Sequence, residues 1–380
     1  MKRIAKKYIA RLLNKNKIKG TTGADTKMIK TVLKNIEDLT IDSEIENIHV
    51  KKWSVLSKRV SPLWFRAYSN LLKNKDINII PDNIYHSIVE PLLNNYSYSQ
   101  FYEEKNFYDF IFTPDCMPIT IIRNIDGIFY NQFYKKIDYK NEIQFKTIKS
   151  KEIIVKPTID SGSGKNVDKF IFDLQTNQFK NKFGIVLSID FLFKQYKKNY
   201  IIQECLKQNA YLNQFNDSSI NTFRVLTYKS VVDNEIKILH VTLRVGLKGS
   251  HLDNAHAGGR FCGISNEGKL SQMSFNDKGE TSNYINNIDL RNGYIIPQYD
   301  KIIQFAKKIA NQTYHLRILS LDIMLDEKDE PRLIELNPEG QGVFIFQMTN
   351  GPMLGEYTDE IIDYCSERLN DFLDHYVLDI

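Results

Sequence analysis

The segment LSLDIMLDEKDEPRLIELNPEGQG, residues 319–342, constrains the fold more than any other part of the chain. Two apolar runs flank the polar sequence DEKDEP, and this pattern predicts a β-hairpin. With the turn centred between Lys328 and Asp329, Asp322 lies opposite Glu335 on the same face of the hairpin. Because two opposed carboxylates repel each other, this register predicts a cation between them.

Asn337 extends this group of oxygen ligands, since it follows Glu335 by two residues on the same face. Asp322, Glu335 and Asn337 together predict a magnesium site, because Mg²⁺ prefers oxygen ligands and leaves room for water and phosphate. The DxxxDE spacing lacks the glycine of a calcium-binding loop. The alternative is a pair of solvent-facing acids on an edge hairpin, but the flanking apolar residues favour partial burial.

A second polar segment, KPTIDSGSGKNV at 156–167, follows an apolar run and combines glycine, serine and lysine. It fails the Walker A pattern, because Ile159 replaces the first glycine and Asn166 replaces Ser or Thr. Glycines nevertheless let backbone N–H groups approach a phosphate closely. The segment predicts a phosphate loop with Lys156 at the end of a strand, and an ordinary hairpin turn is the alternative. The predicted loop residues are Ser161, Gly162, Ser163 and Gly164, and Lys165 is a secondary contact.

The remaining pattern divides the chain into a helical region at 1–110 and a mixed α+β body. Helical spacing recurs in 28–39, 64–73 and 83–93. The body has few long helices between its strands after residue 200, which favours antiparallel sheets over a parallel doubly wound sheet. The chain has 380 residues and 42% hydrophobic content, which suffices for more than one lobe. The predicted later elements are strands at 200–203, 222–228, 237–245, 319–325 and 332–336, and helices near 188–198, 299–313 and 357–374.

Charge and cysteine content restrict the class of protein. The net charge of +5 suits small anionic substrates and does not indicate nucleic-acid binding. The four cysteines are far apart, as in a reduced cytoplasmic protein. No apolar run reaches the ~18 residues that a membrane span needs. The basic segment 1–20 suits either a terminal helix packed on the body, which is favoured, or a peripheral contact with an anionic inner membrane face.

Several segments, in this order, resemble the ATP-grasp superfamily. FYEEKNFYDFIFTPDCMPIT (101–120) resembles the helix that carries a first nucleotide lysine, and KEIIVKPTIDSGSGKNV resembles the second lysine with its glycine loop. YIIQECLKQN (200–209) resembles a hinge strand, and the late D…E-x-N hairpin resembles the metal site. More narrowly, SxNTxRVxT at 219–227 and DN…GG at 253–259 resemble the sugar-transfer-associated ATP-grasp proteins.

The resemblance implies an α+β ATP-grasp fold, in which two α+β lobes clasp ATP after a helical N-terminal region. The segments 111–200 and 201–380 would be the small and the large lobe. The resemblance also implies ATP and two Mg²⁺ ions as cofactors. The residues it assigns to ATP, besides the glycine loop, are Lys105, Lys156, Gln203, Glu204, Cys205, Leu206 and Gln208.

The resemblance places further residues near the acceptor. Arg224 is the best candidate to bind a carboxylate or an acyl phosphate, because a guanidinium can donate two parallel hydrogen bonds to such a group. Arg244 has a similar role. Either arginine could instead belong to a structural ion pair. Lys156, Arg224 and Arg244 are the predicted catalytic residues. The predicted substrate contacts are Asn221, Arg224, Arg244, Asp253, Asn254, Gly258 and Gly259.

His251 and His256 flank Asp253, but without a HExxH helix or a cysteine partner zinc is disfavoured.

The resemblance predicts a carboxylate–amine ligase that forms an amide through an acyl phosphate. Its small-molecule substrates would be a sugar acid or an amino acid, with or without a linked saccharide, in capsule or O-antigen biosynthesis. A kinase on the same fold and a non-catalytic nucleotide-binding module are the alternatives. The sequence does not specify the acceptor, the amine or the oligomeric state.

Overall fold

The computed structural model describes residues 22–36, 39–138, 145–159, 166–249 and 258–375. The basic segment 1–20, for which a membrane contact is one interpretation, lies outside these ranges. The described chain forms two compact units. Unit 1 contains the described residues up to Ser99, Tyr211–Ile323 and those from Leu336 onward, whereas unit 2 contains Gln100–Ala210 and Met324–Glu335.

The helices of the described ranges are mostly short. A π-helix at Tyr85–Val89 joins α4 to α5, and 3₁₀ turns include Lys105–Phe107. The α-helices are 22–34 (α1), Ser43–Trp53 (α2), Leu63–Leu72 (α3), Asp82–Ile84 (α4), Glu90–Leu93 (α5), Tyr96–Glu103 (α6), Tyr108–Ile111 (α7), Ile189–Gln195 (α8), Ala210–Asn213 (α9), Tyr299–Asn311 (α10), Val343–Asn350 (α11) and Thr358–His375 (α12).

The strands form two large sheets and one small hairpin. Their bounds are Thr120–Ile125 (β1), Ile128–Asn131 (β2), Glu152–Pro157 (β3), Asp168–Asp173 (β4), Gln178–Asn181 (β5), Tyr200–Glu204 (β6), Thr222–Lys229 (β7), Ile236–Val245 (β8), Arg260–Ile264 (β9), Leu270–Phe275 (β10), Thr281–Ser282 (β11), Tyr284–Ile285 (β12), Ile288–Asp289 (β13), Ile318–Leu325 (β14) and Pro331–Asn337 (β15).

Unit 2 is built on a six-stranded antiparallel sheet in the order β2-β1-β6-β3-β4-β5. Alternate side chains of its strands, among them Val155, Phe170 and Ile202, form a buried core with Leu192 of α8. The hydroxyl of Ser188 accepts a hydrogen bond from the Phe191 N–H and so caps α8. The sheet holds β3 and β6 as neighbours, and these strands carry predicted nucleotide residues.

Unit 1 contains most of a seven-stranded sheet in the order β11-β10-β9-β8-β7-β14-β15. The pairings of β7, β8, β9, β10 and β11 and that of β14 with β7 are antiparallel. All eight residues of β14 are buried, including Asp322. A continuous apolar run such as this is expected of a strand covered on both faces.

The N-terminal helices pack into the same cores as the C-terminal ones. Trp53 and Val89 share a buried cluster with Leu226 of the sheet and with Phe346 and Ile361 of α11 and α12. This shared core explains why residues up to Ser99 belong to the compact unit that also holds 211–323. The two units therefore do not coincide with the predicted segments 1–110, 111–200 and 201–380.

The structure confirms the predicted α+β class, the antiparallel pairing and the later strands and helices. The strands β4 and β5 and the helix α11 were not predicted. The hairpin turn differs in detail, because the Asp326 N–H donates to the Glu330 carbonyl at 2.9 Å. The turn is therefore centred on Lys328 and not between Lys328 and Asp329, and Asp329 has a φ of 62°. Across the described ranges, no helix is long and apolar enough to cross a membrane.

Gly263 of β9 marks a close approach between the sheet and α11. A Cβ at this position would lie 2.7 Å from the carbonyl oxygen of Thr349. We expect Gly263→Ala to lower the free energy of unfolding by about 1–3 kcal/mol, because the backbone must shift. Urea denaturation measures this change. Gly23→Ala is the matched control, since nothing lies within 4 Å of its Cβ and alanine favours its helix. Equal loss in both variants would contradict the proposed contact.

Candidate active site

Unit 2 brings Lys105 close to the end of β3, which carries Lys156. The Lys105 N–H donates to the Thr158 carbonyl at 3.1 Å. The Thr158 hydroxyl in turn donates to Glu104 Oε2 at 3.0 Å. Residues far apart in sequence thus fix the 3₁₀ turn that begins at Lys105 against the strand of Lys156. The two predicted nucleotide lysines belong to one local cluster.

Glu335 of β15 joins this cluster. Lys105 Nζ lies 2.8 Å from Glu335 Oε1, and the lysine side chain is only 7% exposed. Burial lowers the pKa of Lys156 to about 8, and the positive charge of Lys105 contributes in the same direction while Glu335 opposes it. The cluster thus holds two lysines beside the carboxylate of Glu335, and the Glu104 carboxylate lies at the same turn. Such a cluster suits a polyanionic ligand.

A buried arginine supports the turn that carries Lys105. Arg123 Nη1 donates to the Asn106 carbonyl at 2.9 Å, and Nη2 pairs with Asp109. Its guanidinium lies 4.3 Å from the ring centroid of Tyr134, whose hydroxyl also donates to the Asn106 carbonyl. No local sequence pattern points to these contacts, because they join three separate segments. Arg123 therefore went unpredicted.

The predicted hinge follows β6. The Glu204 N–H donates to the Ile119 carbonyl at 3.0 Å, and the Cys205 N–H donates to the Glu152 carbonyl at 3.1 Å. In the part of the chain that the structure describes, the Leu206 N–H has no hydrogen-bond partner. Of the three backbone N–H groups predicted to meet adenine, only that of Leu206 is therefore open to a ligand.

Two side chains near this hinge were also predicted to contact the nucleotide, and both are buried. Gln203 Nε2 lies 3.3 Å from the Thr120 hydroxyl. Gln208 forms an isolated β-bridge with Asp326. Their observed contacts therefore lie within unit 2.

Unit 1 holds a second cluster, made of Arg224, Arg244 and Asp322. Arg224 of β7 faces Asp322 of β14 in the sheet register, and Thr242 of β8 faces Arg224 on its other side. Arg244 follows Thr242 by two residues, so all three charged side chains share one face. Arg224 donates through Nε to Oδ1 at 2.8 Å and through Nη2 to Oδ2 at 2.7 Å. Arg244 Nη1 donates to Oδ2 at 2.8 Å.

Burial opposes the charged form of Asp322, but the two arginines outweigh it and hold its pKa well below the ordinary value. A cation between Asp322 and Glu335 stays a prediction. In this structure both arginines pair with Asp322, and Lys105 pairs with Glu335. The Asp322 carboxylate thus holds two guanidinium groups side by side on one face of the sheet.

Asn337 and the loop after it are anchored by residues that were not predicted. Asn337 Nδ2 donates to the Ser320 carbonyl at 3.2 Å. Glu90 Oε1 accepts from the Gly340 N–H at 2.6 Å, and Asn94 Nδ2 donates to the Pro338 carbonyl at 2.6 Å. Both anchors come from the short helix after the π-helix. They connect the N-terminal helical region to the strand that carries the predicted metal ligand.

The Glu90 carboxylate also pairs with His86 of the π-helix. Burial favours the neutral form of His86, yet Glu90, 3.3 Å away, raises the pKa of His86 to about 9. His86 is therefore protonated at neutral pH. The same Glu90 carboxylate accepts the Gly340 N–H, so the His86–Glu90 pair contacts the loop after β15.

Of the other predicted substrate residues, Asn221, Gly258 and Gly259 lie within the described ranges. Asn221 is completely buried, and its Nδ2 donates to the Leu212 and Asn216 carbonyls, so its observed role is to support the start of β7. Gly258 has a φ of +87°, and its missing Cβ would lie 3.6 Å from Leu247. Gly259 directly precedes β9. Ser161, Gly162, Ser163, Gly164, His251, Asp253, Asn254 and His256 lie outside the described residues.

The described residues contain no group of three or more His, Cys, Asp or Glu side chains arranged to hold a metal ion. The predicted set of Asp322, Glu335 and Asn337 is a mixed set that includes an amide. Its oxygen donors fit Mg²⁺ chemically. Asp322 Oδ1 accepts one hydrogen bond, from Arg224, so a further lone pair remains on that oxygen.

The sequence matches the family described as sugar-transfer associated ATP-grasp over residues 89–362. Among curated proteins no match was found.

Similar solved structures include the ATP-grasp ligase PsnB in complex with a precursor variant, Mg and ADP, with 12% identity and a TM-score of 0.37 over 72% of this chain and 61% of that chain. They also include the D-alanine–D-alanine ligase from Coxiella burnetii, with 9% identity and a TM-score of 0.40 over 73% and 61%. The N5-carboxyaminoimidazole synthetase from Staphylococcus aureus has 10% identity and a TM-score of 0.34 over 73% and 52%. The chain thus spans about three fifths or less of their lengths.

The lowered pKa of Lys156 predicts a pH-dependent cost to stability. Below about pH 8 the folded protein must hold this lysine protonated in a desolvated position, whereas the unfolded chain holds it at no cost. We expect Lys156→Met to raise the free energy of unfolding at pH 7 by about 2–3 kcal/mol. Each unit by which burial lowers the pKa of the lysine corresponds to about 1.4 kcal/mol. The gain should shrink as the pH rises from 8 towards 10.5.

Urea denaturation at pH 7 and pH 9.5 measures this gain. Lys194→Met, at an exposed position of α8, is the matched control and should show no such gain. A Lys156→Met variant whose gain is the same at both pH values would contradict the buried charge.

Proposed function

The chain belongs to the family of sugar-transfer associated ATP-grasp proteins, and we propose that it is an ATP-dependent ligase that joins a carboxylate to an amine. The observation that carries the proposal is the cluster that joins Lys105 and Glu335 to Lys156, which lies near the end of β3, just before a glycine-rich segment of the sequence. In this proposal, ATP phosphorylates the carboxylate and releases ADP. The amine then attacks the acyl phosphate, forms the amide and releases phosphate.

The lysines have a direct role in this scheme. Lys105 and Lys156 neutralise phosphate oxygens of ATP, and the incoming anion restores the charge that burial and mutual repulsion make unfavourable at Lys156. Glu335 holds Lys105 in place before the nucleotide binds. The open N–H of Leu206 donates to the base, because a ring nitrogen of adenine can accept it.

A bound Mg²⁺ would offset the charge that develops in phosphoryl transfer. Glu335 and Asn337, two residues apart on β15, are the better ligands, since Asp322 already contacts two guanidinium groups. Asp322 contributes through its remaining lone pair and by positioning Arg224. The number of ions, two by resemblance, is part of the proposal.

Arg224 and Arg244 would stabilise the acceptor. Asp322 fixes both guanidinium groups before any substrate binds, which reduces the entropy lost on binding. The two guanidinium groups would attract the acceptor carboxylate and then its acyl phosphate. We propose a sugar acid or an amino acid as the acceptor in cytoplasmic assembly of a surface polysaccharide, supported by the family's association with sugar transfer.

A screen of ADP release tests the ligase proposal. Sugar acids and amino acids are crossed with amines in the presence of ATP and Mg²⁺, and products are identified by mass spectrometry. We expect ADP release to require both a carboxylate and an amine and to yield an amide. A stable phosphorylated product without any amine would instead indicate a kinase. Nucleotide binding without turnover across the screen would indicate a binding module.

Two substitutions test the assigned residues once a turnover assay exists. We expect Lys156→Ala and Asp322→Asn each to lower kcat/KM by about 100-fold or more, because each removes charge from a preorganised cluster. Lys194→Ala is the control and should keep full activity. Full activity in either site variant would contradict the assignment.

The magnesium role of Glu335 can be tested separately. We expect Glu335→Gln to raise the Mg²⁺ concentration needed for half-maximal turnover by about 10-fold or more, because an anionic ligand becomes neutral. Glu327→Gln, in the exposed part of the same hairpin turn, is the matched control. An unchanged Mg²⁺ requirement in Glu335→Gln would exclude this residue as a ligand.

A further inference from the structure

Unit 1 contains a cleft that none of the residues discussed above lines. It has a volume of about 280 Å³ and is lined by Asn95, Lys229, Asn234, Tyr314, Arg317 and Tyr364, among others. Arg317 lies directly before β14, and Lys229 ends the neighbouring strand β7. The cleft is thus built on two paired strands of the central sheet.

Arg317 is held so that one edge of its guanidinium stays available. Nη1 alone makes its side-chain hydrogen bonds, to the Ser230 carbonyl at 3.0 Å, the Lys229 carbonyl at 3.3 Å and Asn234 Oδ1 at 3.3 Å. Within the described ranges, Nε and Nη2 have no hydrogen-bond partner. The Nε–Nη2 edge is one of the edges that fork onto a phosphate or carboxylate. The three Nη1 contacts fix this edge in advance.

The charge of the cleft is also one-sided. Lys229 lines it together with Arg317 and forms no ion pair with any described residue. None of the described residues that line the cleft is acidic. A surface cleft with two cations and no anion attracts an anionic ligand. Asn95 and Asn234 add amide groups, which can bind hydroxyls.

Aromatic rings complete the lining. Tyr314 lines the cleft with a side chain that is 75% exposed, so its ring is accessible to a ligand. The Tyr364 ring lies 5.8 Å from the Arg317 guanidinium carbon and 3.8 Å from that of Arg368. His315 stacks on Tyr98 with a centroid distance of 3.7 Å. Flat rings next to fixed cations suit a ligand that carries both a ring and an anionic group.

We propose that this cleft binds the phosphate monoester of a small ring compound, namely a sugar phosphate. Arg317 and Lys229 bind the phosphate, the amides bind hydroxyls, and the tyrosines pack against the sugar ring. The volume of about 280 Å³ lies just below the range of about 300–1,000 Å³ for ligand pockets, so a monosaccharide phosphate fits better than a larger nucleotide sugar. The inference does not depend on the ligase proposal, since Lys156 and Asp322 do not line this cleft.

Calorimetric titration of the full chain tests the inference. The probes are glucose 1-phosphate, inorganic phosphate and glucose. We expect glucose 1-phosphate to bind at least 10-fold more tightly than either other probe. We also expect Arg317→Gln and Lys229→Gln each to weaken its binding by about 10-fold or more, because each removes a charge-assisted contact. Thermal melting of Lys229→Gln, whose side chain does not support the fold through an ion pair, confirms that the variant is folded.

Two control variants locate the binding. Lys194→Gln, an exposed lysine of unit 2, should bind glucose 1-phosphate as the natural chain does. Lys156→Ala should also retain this binding, because its side chain belongs to the proposed ATP cluster. Loss of binding in Lys156→Ala would place the ligand there and overturn the inference. The inference would also be overturned if glucose or inorganic phosphate bound as tightly as glucose 1-phosphate. Absence of any binding of glucose 1-phosphate would overturn it too.

Discussion

The ion pair of Asp322 with Arg224 and Arg244 is the constraint on which the seven-stranded sheet depends. A carboxylate within a fully buried strand is tolerated only if it is paired and hydrogen-bonded. Both carboxylate oxygens meet guanidinium donors across β7 and β8. A one-residue slip of β14 would turn Asp322 to the other face and leave three charges without partners. Loss of one member of such a group typically costs about 3–5 kcal/mol. The three charges thus specify the register of the sheet's centre.

The charged cluster of unit 2 differs from the Asp322 cluster of unit 1. The core of unit 2 is apolar, but Lys156 lies close enough to Lys105 for the two positive charges to repel each other. This arrangement reduces stability in the absence of an anion. Such local cost is common where a ligand later supplies the missing charge. The two clusters therefore differ physically: both arginines of unit 1 donate hydrogen bonds to Asp322, whereas in unit 2 burial and the charge of Lys105 lower the pKa of Lys156.

Sequence patterns could predict elements whose signal is local. The alternation around Asp322 and the apolar run before Lys156 identified β14 and β3, and helical periodicity identified α10 and α12. The same patterns could not identify the partners of those residues. Arg224 reaches Asp322 across 98 positions, and Glu90 reaches Gly340 across 250. These contacts depend on strand order and on helix packing, and a short segment of sequence shows neither.

The exact conformations of the β14–β15 turn and of the π-helix were not predicted either. A three-residue hairpin turn with a left-handed Asp329 shifts the turn centre by half a residue, and polar residues such as DEKDEP allow either turn length. The π-helix at Tyr85–Val89 gives no clear periodic signal, because one extra residue breaks the helical spacing.

The division of the chain between the two units has a consequence for biosynthesis. Unit 2 takes most of its residues from 100–210, but its last segment, 324–335, is the tip of the β14–β15 hairpin. Unit 1 likewise gathers residues from before, between and after these segments. During translation, then, the ribosome must pass residue 335 before unit 2 has all its parts, and by then much of unit 1 has already been made. Neither unit corresponds to one continuous stretch of polypeptide, so dissecting this protein requires permuted or linked segments and not simple truncation.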